Sequence, residues 1–198
     1  VAAALRSIAP RLGDAEVSPA LDFLIGRGLA DEEEKVREEM VAAGMSILDC
    51  HGAVHAPRLL PLFESHLDRK GGVREEEERF DLVREGVVVL LGTIARHLPP
   101  ADPKRSAALD LLLGVLGTPS ESVQRSVANC LPPLVAPLAA NTEYTQGLVD
   151  RLLKQLTSGG SYGERRGAAF GIAGVVKGLG ISAMRNFNIM ESLKAAVE

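Results

Sequence analysis

Cysteine and histidine side chains cluster at one point of the chain, where Cys50, His51 and His55 could bind a metal ion. A zinc site needs three or four such groups converging on one point. Gly52 lies between the two histidines and is expected to interrupt the helix, so that their i, i+4 spacing would not bring them together. We therefore predict no metal site and interpret the imidazoles as groups at a helix C-terminus, where positive charge is favourable.

Two acidic clusters, Asp31–Glu34 and Glu75–Glu78, are the next candidates for chemistry, because paired carboxylates can act as general acid and base. Both lie in polar stretches with nothing to desolvate them and raise a pKa. Cys50 and Cys130 lie in apolar runs rather than in the polar surroundings that would activate a thiol. We predict no catalytic residue and no enzymatic activity.

A glycine-rich stretch, Gly178–Ala183, resembles a relaxed dinucleotide-binding fingerprint. That motif acts only where it joins a strand to a helix. Here it follows a predicted helix, so we interpret it as a helix terminus and turn, and Gly171 and Gly174 as close-packing points. We predict no cofactor. An enzyme that binds a nucleotide near Gly178 is the alternative from a different functional class.

The candidate partner-binding residues are Tyr162, Arg165 and Arg166, which lie where a helix is predicted to begin. A helix start disfavours positive charge by some tenths of a kcal/mol, so these two arginines need a compensating group. Arg165 would take the place of Arg37 and Arg84 in a ladder of hydrogen bonds between repeats. The ladder does not need Tyr162 or Arg166, and we predict that an anionic group of a partner binds here.

One sequence pattern occurs four times. Each copy begins with a Val-Arg-like pair and continues as an apolar helix, with equivalent positions at Val36, Val83, Val123 and Glu164. These positions are 47, 40 and 41 residues apart, within the range of about 40–47 residues for HEAT and armadillo helix pairs. An amphipathic segment precedes each copy, and no alternating strand pattern is convincing. We predict an all-α HEAT-repeat solenoid, a right-handed superhelix of antiparallel helix pairs.

The predicted array is single, with repeats at 18–52, 55–98, 102–138 and 144–180 and partial helices at 1–9 and 184–198. The first helices of the pairs are predicted at Pro19–Ala30, Ala56–Arg69, Pro103–Leu116 and Tyr144–Thr157. Lys70–Arg79 is predicted to be a projecting loop, and Pro61 and Pro132-Pro133 to kink or break their helices. Both terminal helices carry apolar residues without an evident partner, so we expect a slice of a longer solenoid.

Composition and charge favour a binding scaffold. Hydrophobic residues make up 46% of the chain but aromatic residues only 4%, which is untypical of a small-molecule pocket. The net charge of −4 argues against a dedicated nucleic-acid domain. Residues 1–100 carry 18 acids and 12 bases, and residues 101–198 carry 8 acids and 10 bases, so an anionic partner would bind the C-terminal half. Two isolated cysteines, no long apolar run and no signal peptide predict a soluble cytoplasmic protein without membrane contact.

Three segments carry a family resemblance: DLVREGVVVLLGTIARHL (81–98), TPSESVQRSVANCLPPLV (118–135) and YGERRGAAFGIAGVVKGLGIS (162–182). They resemble the central HEAT array of the general control non-derepressible translational activator, and are most similar to plant-type members. The resemblance covers roughly Val17 to Ile181.

The resemblance implies a non-catalytic scaffold. Members of that family associate with ribosomes, sense uncharged-tRNA or stalled-ribosome states, and relay them to the kinase of initiation factor two in amino-acid starvation. It implies the ribosome and an ATP-binding-cassette protein as partners, with the kinase bound through regions outside this chain, and no direct sequence-specific nucleic acid. Repeat architecture alone leaves another HEAT-repeat adaptor open, such as a transport receptor or a phosphatase scaffold.

Overall fold

The computed structural model of the protein describes residues 1–67 and 74–195, with side chains described from residue 80 onwards in the second range. This part of the chain contains helices and no strand. The helices are α1 (Ala2–Ile8), α2 (Asp14–Phe23), α3 (Glu34–Leu67), α4 (Arg74–Arg96), α5 (Pro103–Val115), α6 (Glu121–Val135), α7 (Thr142–Ser158), α8 (Tyr162–Leu179), α9 (Ala183–Asn186) and α10 (Ile189–Ala195). The prediction of an all-α fold is confirmed.

The helices form two compact units, Val1–Ala108 and Leu109–Glu198. In the first unit, α1 and α4 pack against α3, and α2 continues into a short π-helical turn, Leu24–Gly28, that also contacts α3. Apolar side chains on one stripe of each helix meet in this core, among them Ile47 and Phe63 of α3 and Leu90 of α4. Burial of such a stripe, rather than helix propensity, provides most of a helix's stability in a protein.

The predicted break at Gly52 is wrong, because α3 is continuous from Glu34 to Leu67. It crosses the boundary predicted between the first two repeats and contains Pro57 and Pro61. Each proline removes a backbone donor, but Leu59 and Phe63 are buried on the same stretch, and this packing offsets the loss. The division of the chain into repeats stays a prediction.

The projecting loop predicted at Lys70–Arg79 is wrong for its second half, since α4 already begins at Arg74. The first half lies outside the described residues. The acidic residues Glu75–Glu78, predicted to lie in a turn, are part of α4.

The single terminal helix predicted at 184–198 is also wrong. The described residues form two short helices, α9 and α10, separated at Phe187 and Asn188, and residues 196–198 lie outside the described range. Asn188 has a φ of 53°. This left-handed conformation ends a helix, and asparagine tolerates it better than most residues.

In the second unit, α8 packs against both α6 and α7. The α7 helix spans the predicted segment to within two residues at its start and one at its end, and it buries Leu148, Val149, Leu152 and Leu153 at the expected spacing. α6 continues through Pro132 and Pro133 to Val135, where it tightens into a 3-10 turn, so the predicted break does not occur at the prolines.

Glycines on α8 form a seam that brings this helix close to α6. A Cβ atom added at Gly174 would lie 2.6 Å from the carbonyl oxygen of Ala128, and one added at Gly178 would lie 2.8 Å from the carbonyl oxygen of Pro132. A Cβ at Gly167 would overlap the carbonyl oxygen of Leu116. The prediction that Gly174 is a close-packing point is therefore confirmed.

A carboxylate joins α3 to α4 in the first unit. Asp49 Oδ1 accepts hydrogen bonds from Arg96 and, at 2.8 Å, from Nε2 of His97. Burial works to raise the pKa of Asp49, but the hydrogen bonds and positive charges of Arg96 and His97 outweigh it, so that the pKa lies below its usual value of 3.8. The ionised carboxylate therefore stabilises the contact between the two helices.

Acid should abolish this contribution. Because the folded-state pKa of Asp49 is lowered, its contribution is fully present above about pH 4 and is lost as the pH falls through the folded-state pKa. We expect Asp49→Asn to lower the free energy of unfolding at pH 7 and to lower it less at pH 3, measured by urea denaturation. An equal effect at the two pH values would contradict the assignment.

The glycine seam predicts a position-specific loss of stability. Gly167→Ala should lower the free energy of unfolding by about 1–3 kcal/mol, because the backbone of Leu116 cannot yield as a flexible side chain would. The control is Gly147→Ala in α7, where an added Cβ has no atom within 4 Å, so that the higher helix propensity of alanine should stabilise the protein slightly. Equal denaturation midpoints for the two variants would disprove the close approach.

A candidate partner-binding surface at the start of α8

Tyr162 is the first residue of α8, and its side chain is 69% exposed. The helix begins with a capping box, in which Ser161 Oγ accepts from the backbone N–H of Glu164 at 3.1 Å and the Glu164 carboxylate accepts from the N–H of Ser161 at 3.3 Å. The carboxylate also accepts from the N–H of Gly160 at 2.7 Å. These bonds place a negative charge at the positive end of the helix and hold Tyr162 at the surface.

Arg166 joins α8 to α6, the second helix of the preceding predicted repeat. Its Nε donates to the side-chain oxygen of Gln124 at 2.9 Å, and its Nη1 lies 3.3 Å from a carboxylate oxygen of Glu121. Its Nη2 donates to the carbonyl oxygen of Pro119. The guanidinium also lies over the ring of Tyr162, 5.6 Å from the ring centroid. Only 23% of the Arg166 side chain is exposed.

Arg165 stays within its own repeat. Its Nη1 donates to the carbonyl oxygen of Gly159, the residue that follows α7, at 2.8 Å. A cation is favourable at this position, because the last carbonyl groups of a helix carry partial negative charge. The bonds from α8 to α6 that were predicted for Arg165 are therefore formed by Arg166, and Arg165 forms a local bond.

The equivalent positions in the other repeats show the same local bond. Arg37 donates to the carbonyl oxygens of Asp31 and Glu32, both at 2.9 Å, and Arg84 donates to that of Leu67 at 2.9 Å. The position predicted for Arg37, Arg84 and Arg165 thus carries a donor in each case. Its bonds reach the turn before α3, the last residue of α3 and the residue after α7, rather than the next predicted repeat.

Gln124 occupies this position in the third repeat and is completely buried. Its Nε2, with two N–H groups, lies within hydrogen-bond distance of three carbonyl oxygens, those of Leu116 at 2.9 Å, Thr118 at 2.6 Å and Gly163 at 2.8 Å. The last of these bonds reaches the first turn of α8, while the side-chain oxygen accepts from Arg166. Gln124 is therefore the residue that links the turn before α6 to the start of α8.

A third arginine, Arg125, contacts the same Glu121 carboxylate as Arg166. Arg125 pairs with Glu121 at 2.7 Å, lies 5.9 Å from the ring centroid of Phe170, and has 64% of its side chain exposed. We define the arginine–tyrosine surface as Tyr162, Arg165, Arg166, Arg125 and Phe170. With Glu121 and Glu164 beside its three arginines, the surface carries a net charge of +1.

The sequence analysis missed Gln124, Arg125 and Glu121. The signal was present in the repeat itself, since Val123 and Glu164 are 41 residues apart. Gln124 and Arg125 therefore occupy the same repeat positions as Arg165 and Arg166. Partner binding by Tyr162, Arg165 and Arg166 stays a prediction.

The cysteine–histidine cluster lies within α3 rather than at a helix end, so its interpretation as a C-terminal cluster is wrong. His51 and His55 follow each other by one helical turn, with ring centroids 6.2 Å apart. Nε2 of His51 donates to the carbonyl oxygen of Ala9 at 2.7 Å, and Nε2 of His55 lies 3.2 Å from a carboxylate oxygen of Asp14. The two rings thus attach α3 to the segments that precede it.

The glycine-rich stretch Gly178–Ala183 begins in the last turn of α8. Gly178 lies in the last turn of α8 against Pro132 and Val135, and Gly180 follows the helix with a φ of 88°. This conformation favours glycine and ends the helix. The stretch follows a helix, as predicted, instead of joining a strand to one.

Within residues 1–67 and 80–195, whose side chains are described, no group of three or more His, Cys, Asp and Glu side chains converges as metal ligands would. No helix in the same ranges has both the length and the apolar character needed to cross a bilayer.

Stacked helices with a recurring side-chain cap before the second helix of each pair define a helical-repeat protein of the HEAT class. Residues 1–96 match the model of the family described as "Stalled ribosome sensor GCN1, HEAT repeats". The alignments with relatives extend this similarity over the whole chain. The chain is similar over its whole length to GCN1 proteins, and the prediction of a HEAT-repeat fold is confirmed.

Three relatives illustrate the similarity. The chain is 45% identical over 197 residues to Protein ILITYHIA of Arabidopsis thaliana and 39% identical over 198 residues to Stalled ribosome sensor GCN1 of Homo sapiens, in each case over 100% of the chain. It is 36% identical over 187 residues, 93% of the chain, to eIF-2-alpha kinase activator GCN1 of Saccharomyces cerevisiae. The chain spans 7% of the length of each of these relatives. No solved structure matches the chain.

The position of Gln124 predicts a large effect of removing its amide. Gln124→Met preserves the approximate shape of the side chain but deprives three carbonyl groups of a donor and Arg166 of an acceptor. We expect the free energy of unfolding to fall by about 1–3 kcal/mol, the cost of leaving buried polar groups unsatisfied. Gln155→Met in α7, where the side chain is exposed, is the matched control. Similar denaturation midpoints for both variants would argue against the role of Gln124.

Proposed function

We propose that the chain is a non-catalytic scaffold segment of a ribosome-associated translational regulator that activates the initiation factor two alpha kinase in amino-acid starvation and stress. The observation that carries this proposal is similarity over the whole chain to proteins named as a stalled ribosome sensor and as an eIF-2-alpha kinase activator. These names describe much longer proteins, so the activity is proposed for the protein that contains this segment. Such a regulator acts in the cytoplasm.

The absence of catalysis is part of the same proposal. The names of the three relatives are those of a sensor, an activator and a protein without a stated activity, and none is the name of an enzyme. The recurring polar side chains of the described repeats donate to backbone carbonyl groups. Groups used in this way hold helices in position, which supports a scaffold.

We propose that the arginine–tyrosine surface of the second unit contacts the ribosome or an ATP-binding-cassette partner protein. Its exposed aromatic ring can stack on a base or an apolar group, and its arginines can donate to phosphate or carboxylate oxygens. The exposed fractions of Tyr162 and Arg125, 69% and 64%, make these two side chains the accessible part of the surface. The kinase would be bound through regions outside this chain.

The bonds of Arg166 decide which variants can test this surface. Replacing Arg166 by glutamate would place a second carboxylate beside Glu121 and remove the donor to Gln124, so loss of packing and loss of binding would occur together. Arg125→Glu also places a carboxylate beside Glu121, but at a largely exposed pair, and Tyr162→Ala removes only the ring that lies against Arg166. Both leave the bonds from Arg166 to Gln124 and Pro119 in place. These two substitutions are therefore the appropriate probes.

We expect the Arg125→Glu, Tyr162→Ala double variant of the full-length protein to co-sediment with ribosomes several-fold less well than the parent at physiological salt. The part of the loss that is due to Arg125→Glu should be greater at low salt than at high salt. At high salt, screening already weakens the arginine contact in the parent, so that less binding remains to be lost. Co-purification with the ATP-binding-cassette partner, measured on the same variants, distinguishes the two proposed partners.

Lys154→Glu in α7 is the matched control, since this exposed cation lies outside the arginine–tyrosine surface. It makes the same charge change as Arg125→Glu and should retain binding. Melting temperatures of the double variant and the control should agree with that of the parent to within a few degrees. If the double variant keeps both its melting temperature and its association with both partners, this surface is not the contact site.

A further inference from the structure

A groove of about 300 Å³ runs between α3 and α4 in the first unit. Apolar side chains form its floor, including Val41 and Met45 of α3 and Val89 of α4, and each of these is partly exposed. Ala42 on α3 and the buried Gly86 on α4 are the small residues of its lining, and the Leu29 side chain packs against Gly86. A partly exposed apolar floor between two helices is suited to one or two side chains of a partner.

Carboxylates follow the edges of this groove. Glu34 and Glu38 lie one turn apart on α3, and Glu85 lies on α4. Among the described residues, no ion pair engages Glu34 or Glu38. Arg37 lies between them in sequence, but its Nη1 donates to the carbonyl oxygens of Asp31 and Glu32.

The field at the groove is therefore negative, and the exposed acidic residues Glu32 and Glu33 before α3 strengthen it. Two consequences follow for what can bind. A nucleic acid would be repelled, because its phosphates would approach these carboxylates. A cationic segment would be attracted, and a charge pattern of this kind selects partners by their complementary charge.

We infer that this groove binds a basic amphipathic segment of a protein partner. One leucine- or methionine-like side chain seats on Val41, Met45 and Val89, and flanking lysine or arginine side chains pair with Glu34 and Glu38. The apolar floor accounts for most of the affinity, since buried anchors carry the energy of such contacts, and the carboxylates set orientation and partner choice. The site lies in a different unit from the arginine–tyrosine surface and takes a partner of opposite charge.

The test uses the complete 198-residue chain and a fluorescein-labelled 15-residue peptide composed of lysine and leucine, with leucine at helical i, i+3, i+4 and i+7 positions. Binding is measured by fluorescence anisotropy. We expect Glu38→Lys to weaken binding about tenfold and Met45→Ala to weaken it several-fold. A lysine–serine peptide of the same charge should bind at least tenfold more weakly than the lysine–leucine peptide, because it lacks the apolar anchor.

Matched controls separate the groove from general attraction to an acidic protein. Asp22→Lys changes the same charge at an exposed position of α2, and Val54→Ala truncates an apolar side chain that is 75% exposed on α3. Both should bind the lysine–leucine peptide as the parent does. Melting temperatures establish that each variant is folded.

Three results would overturn the inference. If Glu38→Lys binds the peptide as the parent does, the carboxylates do not contribute to binding. If Asp22→Lys weakens binding as much as Glu38→Lys, the peptide is attracted by the charge of the whole chain. Equal affinity for the lysine–serine peptide would show that no side chain seats on the floor. A single-stranded oligonucleotide that competes for the site and loses affinity in Met45→Ala would identify a nucleic acid as the occupant instead.

Discussion

The carbonyl groups that end one helix must be satisfied before the next helix can pack, and a long polar side chain at one recurring sequence position does this four times. Arg37, Arg84, Gln124 and Arg165 occupy that position and donate to carbonyl groups of the preceding helix end or turn. A carbonyl group left without a donor at such a contact would lower stability, most of all where it is buried. Each of these bonds therefore ties a helix to the end of the segment that precedes it.

This constraint explains the arrangement at the start of α8. Two adjacent cations at a helix N-terminus are unfavourable in isolation. Arg165 is directed back to the carbonyl end of α7, and Arg166, about 100° further around the helix, meets Glu121 and Gln124 of α6. Both charges are compensated within the chain, and the residue left most open to a partner is the tyrosine beside them, with Arg125 of the neighbouring repeat.

The sequence was sufficient for the helical class and the repeat position, because the recurrence of Val-Arg at 47, 40 and 41 residues reflects a packing and capping requirement that each repeat meets alone. It was insufficient where several repeats share a contact. The choice between Arg165 and Arg166 depends on which way each side chain points relative to α6. The continuity of α3 through Gly52 and Pro57 depends on tertiary burial of Leu59 and Phe63, which overrides local propensity. The break at Asn188 could not be predicted, because a single residue with positive φ ends the helix there and no sequence pattern marks it.

Glycine has opposite consequences at the two helix contacts, and the atom that faces it decides which. On α4, Gly86 faces the end of the Leu29 side chain, which fills the space that a larger residue would take. On α8, Gly174 and Gly178 face backbone carbonyl groups of α6, so the missing side chain is used to bring two backbones together. In the first arrangement a flexible side chain could shift to admit a larger residue, whereas in the second the backbone could not. The cost of replacing a glycine in such a helix contact is therefore determined less by the number of small residues than by whether the group opposite it is side chain or backbone.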